Sequence, residues 1–155
     1  MRKFVVGYLI FILTGLVLLL FSCTPESCFE ETEAYLKASF YDNETIEINA
    51  PDSITIFGLN MESIKIYNKS TKIQTALLPL NASADSCLFI FIINGITDTV
   101  KFRYNSYPHL ISKECGYTFY HNIDQPETTS NIIKGIYLNK SNITTQNEEN
   151  IRIFY

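Results

Sequence analysis

The sequence lacks the motifs of the common enzyme classes. It has no G-x-S-x-G elbow, no H-E-x-x-H pair and no P-loop, and it contains only two histidines. Its carboxylate pairs, Glu30–Glu31 and Glu148–Glu149, are adjacent, and adjacent side chains of an extended chain point to opposite faces. Because acid–base catalysis needs two groups that converge on one pocket, we predict no catalytic residue, no cofactor and no enzymatic activity.

Basic residues are also scarce. The chain has 12 Lys and Arg against 16 Asp and Glu. Arg2 and Lys3 precede an apolar segment, and their removal would leave 10 basic against 16 acidic residues, a formal charge of −6. An acidic domain repels phosphate backbones, which bind Lys and Arg, so we expect no nucleic-acid partner. Polybasic attachment to an anionic membrane is disfavoured for the same reason.

One long apolar run lies at the N-terminus. Residues 4–22 contain no charge, and a run of this length can span a bilayer. A secretory signal, in contrast, has a shorter apolar core and a small residue at its cleavage site. The run ends in "LFSC", residues 20–23, which is similar to the lipobox of bacterial lipoproteins. We predict a signal peptide over residues 1–22 and a lipid on Cys23, whose acyl chains hold the protein on the membrane. An uncleaved N-terminal helix is the alternative.

Three further cysteines are Cys28, Cys87 and Cys115. The cell envelope permits disulfides, and an odd number leaves one thiol over. Cys87 opens the apolar run "CLFIFII", where a thiol behaves as a small buried hydrophobe, so the simplest disulfide joins Cys28 to Cys115. Three free thiols are one alternative. Zinc bound by Cys115 with the flanking His109 and His121 is another, but the spacing fits no compact zinc module. We predict no metal site and place both histidines on a loop or strand surface.

The chain after residue 31 is patterned as β-structure. Apolar and polar residues alternate over residues 33–41, and further strand-like segments cover 53–59, 63–68, 72–80, 87–94, 97–105, 115–123, 132–138 and 150–155. Segment 87–94 is apolar on both faces, as in a central strand, and Asn94–Gly95 predicts a hairpin turn. The pattern predicts an all-β, antiparallel sandwich, Ig-like or related, of eight or nine strands. We predict that the sandwich forms a single domain over residues 33–155, after a short tether over residues 23–32.

Aromatic residues are plentiful, with 10 Tyr and 11 Phe, although Trp is absent. Most occupy alternate strand positions, which indicates packing in the core and between strands. A surface that stacks on carbohydrate or another ligand is the alternative. The triplets "DSI" (52–54) and "DTV" (98–100) fit the Asp–Ser/Thr–aliphatic pattern of O-glycosylation in Bacteroidetes, which makes Ser53 and Thr99 candidate glycosylation sites.

Several short motifs resemble a family of small Bacteroidetes lipoproteins of unknown function. They are "CTPESC" (23–28), "LKASFYD" (36–42), "PHLISKECG" (108–116) with the following "YTFYHNI", and the terminal "NIRIFY". The resemblance implies that Cys115, in "KECG", pairs with Cys28. It also implies an envelope location, but no activity, substrate or catalytic residue.

These observations favour a non-enzymatic β-domain, lipid-anchored to the outer membrane of a bacterial cell envelope. We expect a structural or binding accessory role, with the membrane as one partner, reached through the lipid, and an envelope protein or glycan as another. One alternative is a surface module that binds carbohydrate or peptide. The other is an envelope enzyme whose residues converge only in the folded chain.

Overall fold

Eleven strands make up the folded part of the chain. The computed structural model describes residue 7 and residues 27–155, and residues 27–155 contain no helix. The strands, β1 to β11, are Tyr35–Tyr41, Ile54–Gly58, Lys65–Ser70, Thr75–Pro79, Ser86–Ile93, Ile96–Ser112, Gly116–Ile123, Glu127–Thr128, Gly135–Leu138, Asn142–Ile143 and Ile151–Phe154.

The strands form two sheets. The smaller sheet has the order β4-β1-β11-β9, and the larger has the order β10-β7-β6-β5-β2-β3, with β8 paired to β6. The inward side chains of both sheets meet in one core. Fully buried members include Leu36, Phe40, Leu78, Ile151 and Ile153 from the smaller sheet, and Ile54, Ile56, Phe91, Ile93 and Phe102 from the larger. The all-β, sandwich-like prediction is confirmed.

Two details differ from the sequence-based expectation. There are eleven strands rather than eight or nine, because β8 and β10 have only two residues each, too few to show alternation. The pairing of β1 with β11 is parallel, although the other pairings are antiparallel. These are the first and last strands, so no tight turn forces them to run in opposite directions.

A buried asparagine holds the parallel pair together. Asn150 is 2% exposed, and its side-chain oxygen accepts a hydrogen bond from the amide of Lys37 at 2.9 Å. Its side-chain nitrogen donates to the carbonyls of Lys140 (3.2 Å) and Asn142 (3.1 Å). Asn150 thereby satisfies backbone groups that the end of the ladder leaves without strand partners.

The predicted central strand and hairpin turn are both present. β5 lies between β2 and β6, antiparallel to each. Asn94 and Gly95 join β5 to β6 with φ angles of 51° and 86°, the two positive values that a two-residue hairpin turn of this class requires.

Strand β6 is longer than predicted and changes partners along its length. Residues 96–103 pair with β5, and residues 104–112 pair with β7. The second half therefore extends past the first residue of β5, Ser86, for about 25–30 Å. The ribbon made by residues 105–112 and 116–121, the β6–β7 hairpin, projects beyond that end of the sheet.

Asp98 connects β6 to the segment between β8 and β9. Its side chain is 1% exposed, and Oδ1 accepts hydrogen bonds from the Thr129 hydroxyl (2.7 Å) and the Asn131 amide (2.8 Å). Oδ2 accepts from the amides of Ile132 (2.8 Å) and Ile133 (2.9 Å). The Ile133 side chain is fully buried in the core, so the carboxylate fixes the segment that leads into the smaller sheet.

The four donors determine the charge state of this carboxyl. Burial raises the pKa of Asp98, but the hydrogen bonds from Ile133, Asn131, Thr129 and Ile132 outweigh it and hold the pKa below its ordinary value. A folded-state pKa below the unfolded one means that the unfolded chain binds the proton more readily. The stabilisation is complete above about pH 4 and is lost as the pH falls through the folded-state pKa.

Asp98→Asn should lower the free energy of unfolding by about 2–4 kcal/mol at pH 7. The amide nitrogen would face two N–H or O–H donors in place of an acceptor. Denaturant unfolding measures the loss, and the difference between the parent and the variant should shrink between pH 7 and pH 3.

Asp52→Asn is the matched control, because Asp52 is exposed, and we expect a change within about 0.5 kcal/mol. A loss for Asp98→Asn that is equally large at pH 7 and pH 3 would show that the ionised carboxylate is not the stabilising form.

Candidate functional site

The N-terminal tether is fastened to the tip of the β6–β7 hairpin. A disulfide joins Cys28 to Cys115, with a Cα–Cα distance of 4.8 Å across 87 residues of sequence. This is the pairing that the sequence favoured. Further along, the Thr118 hydroxyl donates to the carbonyl of Thr32 at 2.6 Å. The tether therefore follows β7 from the hairpin tip to the start of β1, and closing so long a loop contributes about 4–5 kcal/mol in the chain-entropy model.

The inner face of the hairpin continues the core face of the sheet. Alternation places Ile123 and His121, which are buried, on the same side of β7 as Phe119 and Tyr117. Phe119 is 47% exposed and Tyr117 is 74% exposed. Phe119 lines a cavity with Tyr35 and Pro79 at the edge of the smaller sheet, and Tyr117 lies two residues further toward the tip. The apolar face that is covered in the sandwich is thus uncovered toward the tip.

The outer face of the hairpin is braced by aromatic rings. His109 stacks on Tyr120 with a centroid distance of 4.1 Å, and Tyr107 meets Tyr120 edge to face at 6.1 Å. Tyr107 also donates to the Asn142 side chain at 2.8 Å. A two-stranded ribbon is marginally stable alone, so these contacts and the disulfide account for its extension from the sheet.

The two histidines differ in environment. His109 is exposed, as expected, but the expectation is wrong for His121, which is 3% exposed. His121 contacts the Ser106 hydroxyl at 2.9 Å and the Tyr104 ring at 5.5 Å. Burial lowers the pKa of His121, so the ring is neutral at pH 7. It is buried because the inner face of β7 turns into the core at this position.

An apolar groove of about 560 Å³ opens at the same end of the sandwich as the tether. β2 and β4 end at this groove, β5 begins there, and the start of β1 is close by. Two of its side chains are strongly exposed, Met61 at 50% and Ile64 at 66%. Its other lining residues include Leu59, Ile66, Leu80, Cys87, Leu88 and Phe89, with Asn81 and Ser86 as polar members.

Cys87 lines this groove as a free, half-buried thiol. Burial raises the pKa of Cys87 to about 12, although its hydrogen bond with Tyr104 acts in the opposite direction. The thiol therefore stays protonated at neutral pH and is a poor nucleophile. This agrees with its predicted role as a small hydrophobe at the start of β5.

The candidate glycosylation residues occupy unequal positions. Ser53 is half-buried immediately before β2, and its amide is bonded to the Asn94 side chain at 3.1 Å. Thr99 is half-buried inside β6, and its amide is bonded to the Thr129 hydroxyl at 2.9 Å. In the second triplet the acidic residue is Asp98, which the fold itself uses. Glycosylation at both positions stays a prediction. The hydrogen bonds that Asp98 accepts give this residue a structural role that does not depend on glycosylation.

Cys23 and the predicted signal peptide lie outside the described residues, apart from Gly7. In residue 7 and residues 27–155, no helix is long and apolar enough to cross a membrane. In the same part of the chain, no group of three or more His, Cys, Asp or Glu side chains is placed to hold a metal ion.

The fold and this end of the molecule define a β-sandwich-like domain with a disulfide-fastened N-terminal tether. Comparison with protein families then identifies the family. Residues 53–155 match the family of unknown function DUF6452, and the chain belongs to that family. No curated protein and no solved structure matches the chain.

Sequence reasoning brought Cys28 and Cys115 together but missed the groove, the inner face of the hairpin and Asp98. The groove residues come from three separate segments, so no local pattern marks them. The signal for the hairpin was available: "YTFY" (117–120) places aromatics on both faces of one strand, more than a half-buried strand needs.

Proposed function

We propose that this protein is a lipid-anchored accessory of the bacterial cell envelope, attached to the outer membrane through Cys23, and that its β-domain is non-enzymatic. One observation carries the proposal: the disulfide fixes Cys28, only five residues after Cys23, to the folded domain. Five extended residues span at most about 17 Å. A chain exported as a lipoprotein would therefore hold its domain against the membrane rather than on a long linker.

The oxidised cysteine pair supports an envelope location. Disulfides persist in oxidising compartments and are rare where thioredoxin and glutathione keep thiols reduced. Here the bond closes a loop of 87 residues and supports a projecting hairpin. A compartment that reduced it would release both the tether and the hairpin tip.

The groove supports a binding role and bears on the kind of ligand. Its lining is mostly aliphatic, aromatic or thioether, with Asn81 and Ser86 to orient a polar group. Such a groove suits the apolar side chains of an extended peptide, or another apolar chain, better than it suits a sugar ring, whose hydroxyls need many hydrogen-bond partners. We propose an apolar or peptide ligand for this end of the domain.

Metabolic labelling with palmitate tests the anchor. The full chain produced in a bacterial host should incorporate label, and Cys23→Ala should abolish it, because Cys23 supplies the thiol that carries the lipid. Cys28→Ser is the matched control, since it removes a nearby cysteine and should leave the label in place. Label retained in Cys23→Ala would overturn the proposal.

Binding of 1-anilinonaphthalene-8-sulfonate tests the groove. Ile64→Glu should weaken dye binding about tenfold, because a carboxylate next to an apolar ligand must lose water, and 1.4 kcal/mol corresponds to a factor of ten. Ile46→Glu is the control, since Ile46 is comparably exposed, at 59% against 66%, and does not line the groove. Equal effects of the two substitutions would contradict a groove site.

A further inference from the structure

We propose that the inner face of the β6–β7 hairpin rests on the surface of the lipid bilayer that carries the anchor. This face, the hairpin patch, consists of Pro108, Leu110, Tyr117 and Phe119. The inference rests on the proposed membrane attachment and adds to it a specific contact between the folded domain and lipid.

The hairpin patch is apolar and contiguous, and it is exposed from the edge of the smaller sheet, where Phe119 lines a cavity with Tyr35 and Pro79, to the tip. The register pairs Leu110 with Tyr117 and Pro108 with Phe119, so the four side chains share one face of the ribbon. Leu110 is 48% exposed, in addition to the exposed Tyr117 and Phe119. Phe29, which follows the disulfide cysteine at the tip, is 93% exposed. Exposed apolar surface of this kind marks a contact site.

The length of the tether supplies the occupant. Cys28 is held at the hairpin tip by Cys115, and the chain reaches Cys23 after five residues, at most about 17 Å. Both readings of the N-terminal segment, a lipidated Cys23 or an uncleaved apolar helix over residues 4–22, put the bilayer at this distance. The tip is therefore held within this distance of the residue that enters the bilayer.

The chemistry of the patch suits an interface rather than the hydrocarbon interior. Tyrosine places an apolar ring and a polar hydroxyl at the level of the headgroups. Pro108 lacks an amide hydrogen and lies on the β6 edge that β5 leaves unpaired, which disfavours strand addition by a second copy. Glu30 and Glu31 in the tether, with Glu33 directly after it, outnumber the exposed Lys113 at the tip, so a zwitterionic surface is favoured over an anionic one.

The absence of tryptophan allows a direct test with single-Trp variants. Leu110→Trp places the reporter in the hairpin patch, and Ile96→Trp places it at the other end of the same strand. The two parent residues are equally exposed, at 48% and 45%, share one face by alternation and are roughly 45 Å apart along β6. The full lipidated chain is reconstituted in phosphatidylcholine vesicles whose acyl chains carry bromine near the headgroup.

Bromine in the lipid should quench the fluorescence of Leu110→Trp strongly, and contact with lipid should shift its emission to shorter wavelength. The fluorescence of Ile96→Trp should stay unquenched. Tyr117→Trp and Tyr137→Trp form a second pair, because both residues are exposed tyrosines and Tyr137 lies on β9 in the smaller sheet. The same contrast within this pair would support the contact even if Leu110→Trp folds poorly.

Three outcomes overturn the inference. Chain that floats with the vesicles but shows equal quenching within each pair is anchored without the hairpin contact, and the proposed function stands. Chain that does not float with the vesicles removes the attachment as well. A blue shift without bromine quenching that disappears as the protein is diluted in the vesicles indicates a second copy on the patch instead of lipid.

Discussion

The disulfide between Cys28 and Cys115 is the constraint on which the working end of this molecule depends. Without it the tether would lose its covalent attachment to the fold, and the β6–β7 hairpin would be a two-stranded ribbon without a covalent support at its tip. With it, the point where the chain leaves the fold is fixed at the tip of the most extended element. The disulfide therefore limits the distance between the fold and the predicted anchor to the span of five residues.

The two faces of the hairpin have different roles in this arrangement. The outer face is held by the rings of Tyr107, His109 and Tyr120, which support the ribbon where it extends past the edge of the smaller sheet. The inner face can then remain open. The apolar groove lies at the same end of the sandwich, so two exposed apolar surfaces lie near the tether. Asp98 has a separate role, because it stabilises the segment that leads into the smaller sheet.

Much of the fold could be predicted because its signals are local. Alternation within a strand depends on neighbouring residues, and all nine predicted segments correspond to strands. The extension of β6 through Pro108 was missed, because proline and exposure on both faces hide the alternation. The parallel pairing of β1 with β11 and the partners of Asp98, which are 31 to 35 residues away, depend on tertiary contacts that no short window contains. The disulfide was predictable for a different reason: few cysteines left few pairings.

Mass spectrometry of a non-reduced tryptic digest of the membrane-bound chain tests the central claim most directly. Cleavage after Lys37, Lys113 and Lys134 should yield residues 23–37, with lipid on Cys23, joined through Cys28 to residues 114–134. That one species would establish both the anchor and its attachment to the hairpin. An unmodified Cys23, or Cys28 found free or joined to Cys87, would contradict the account.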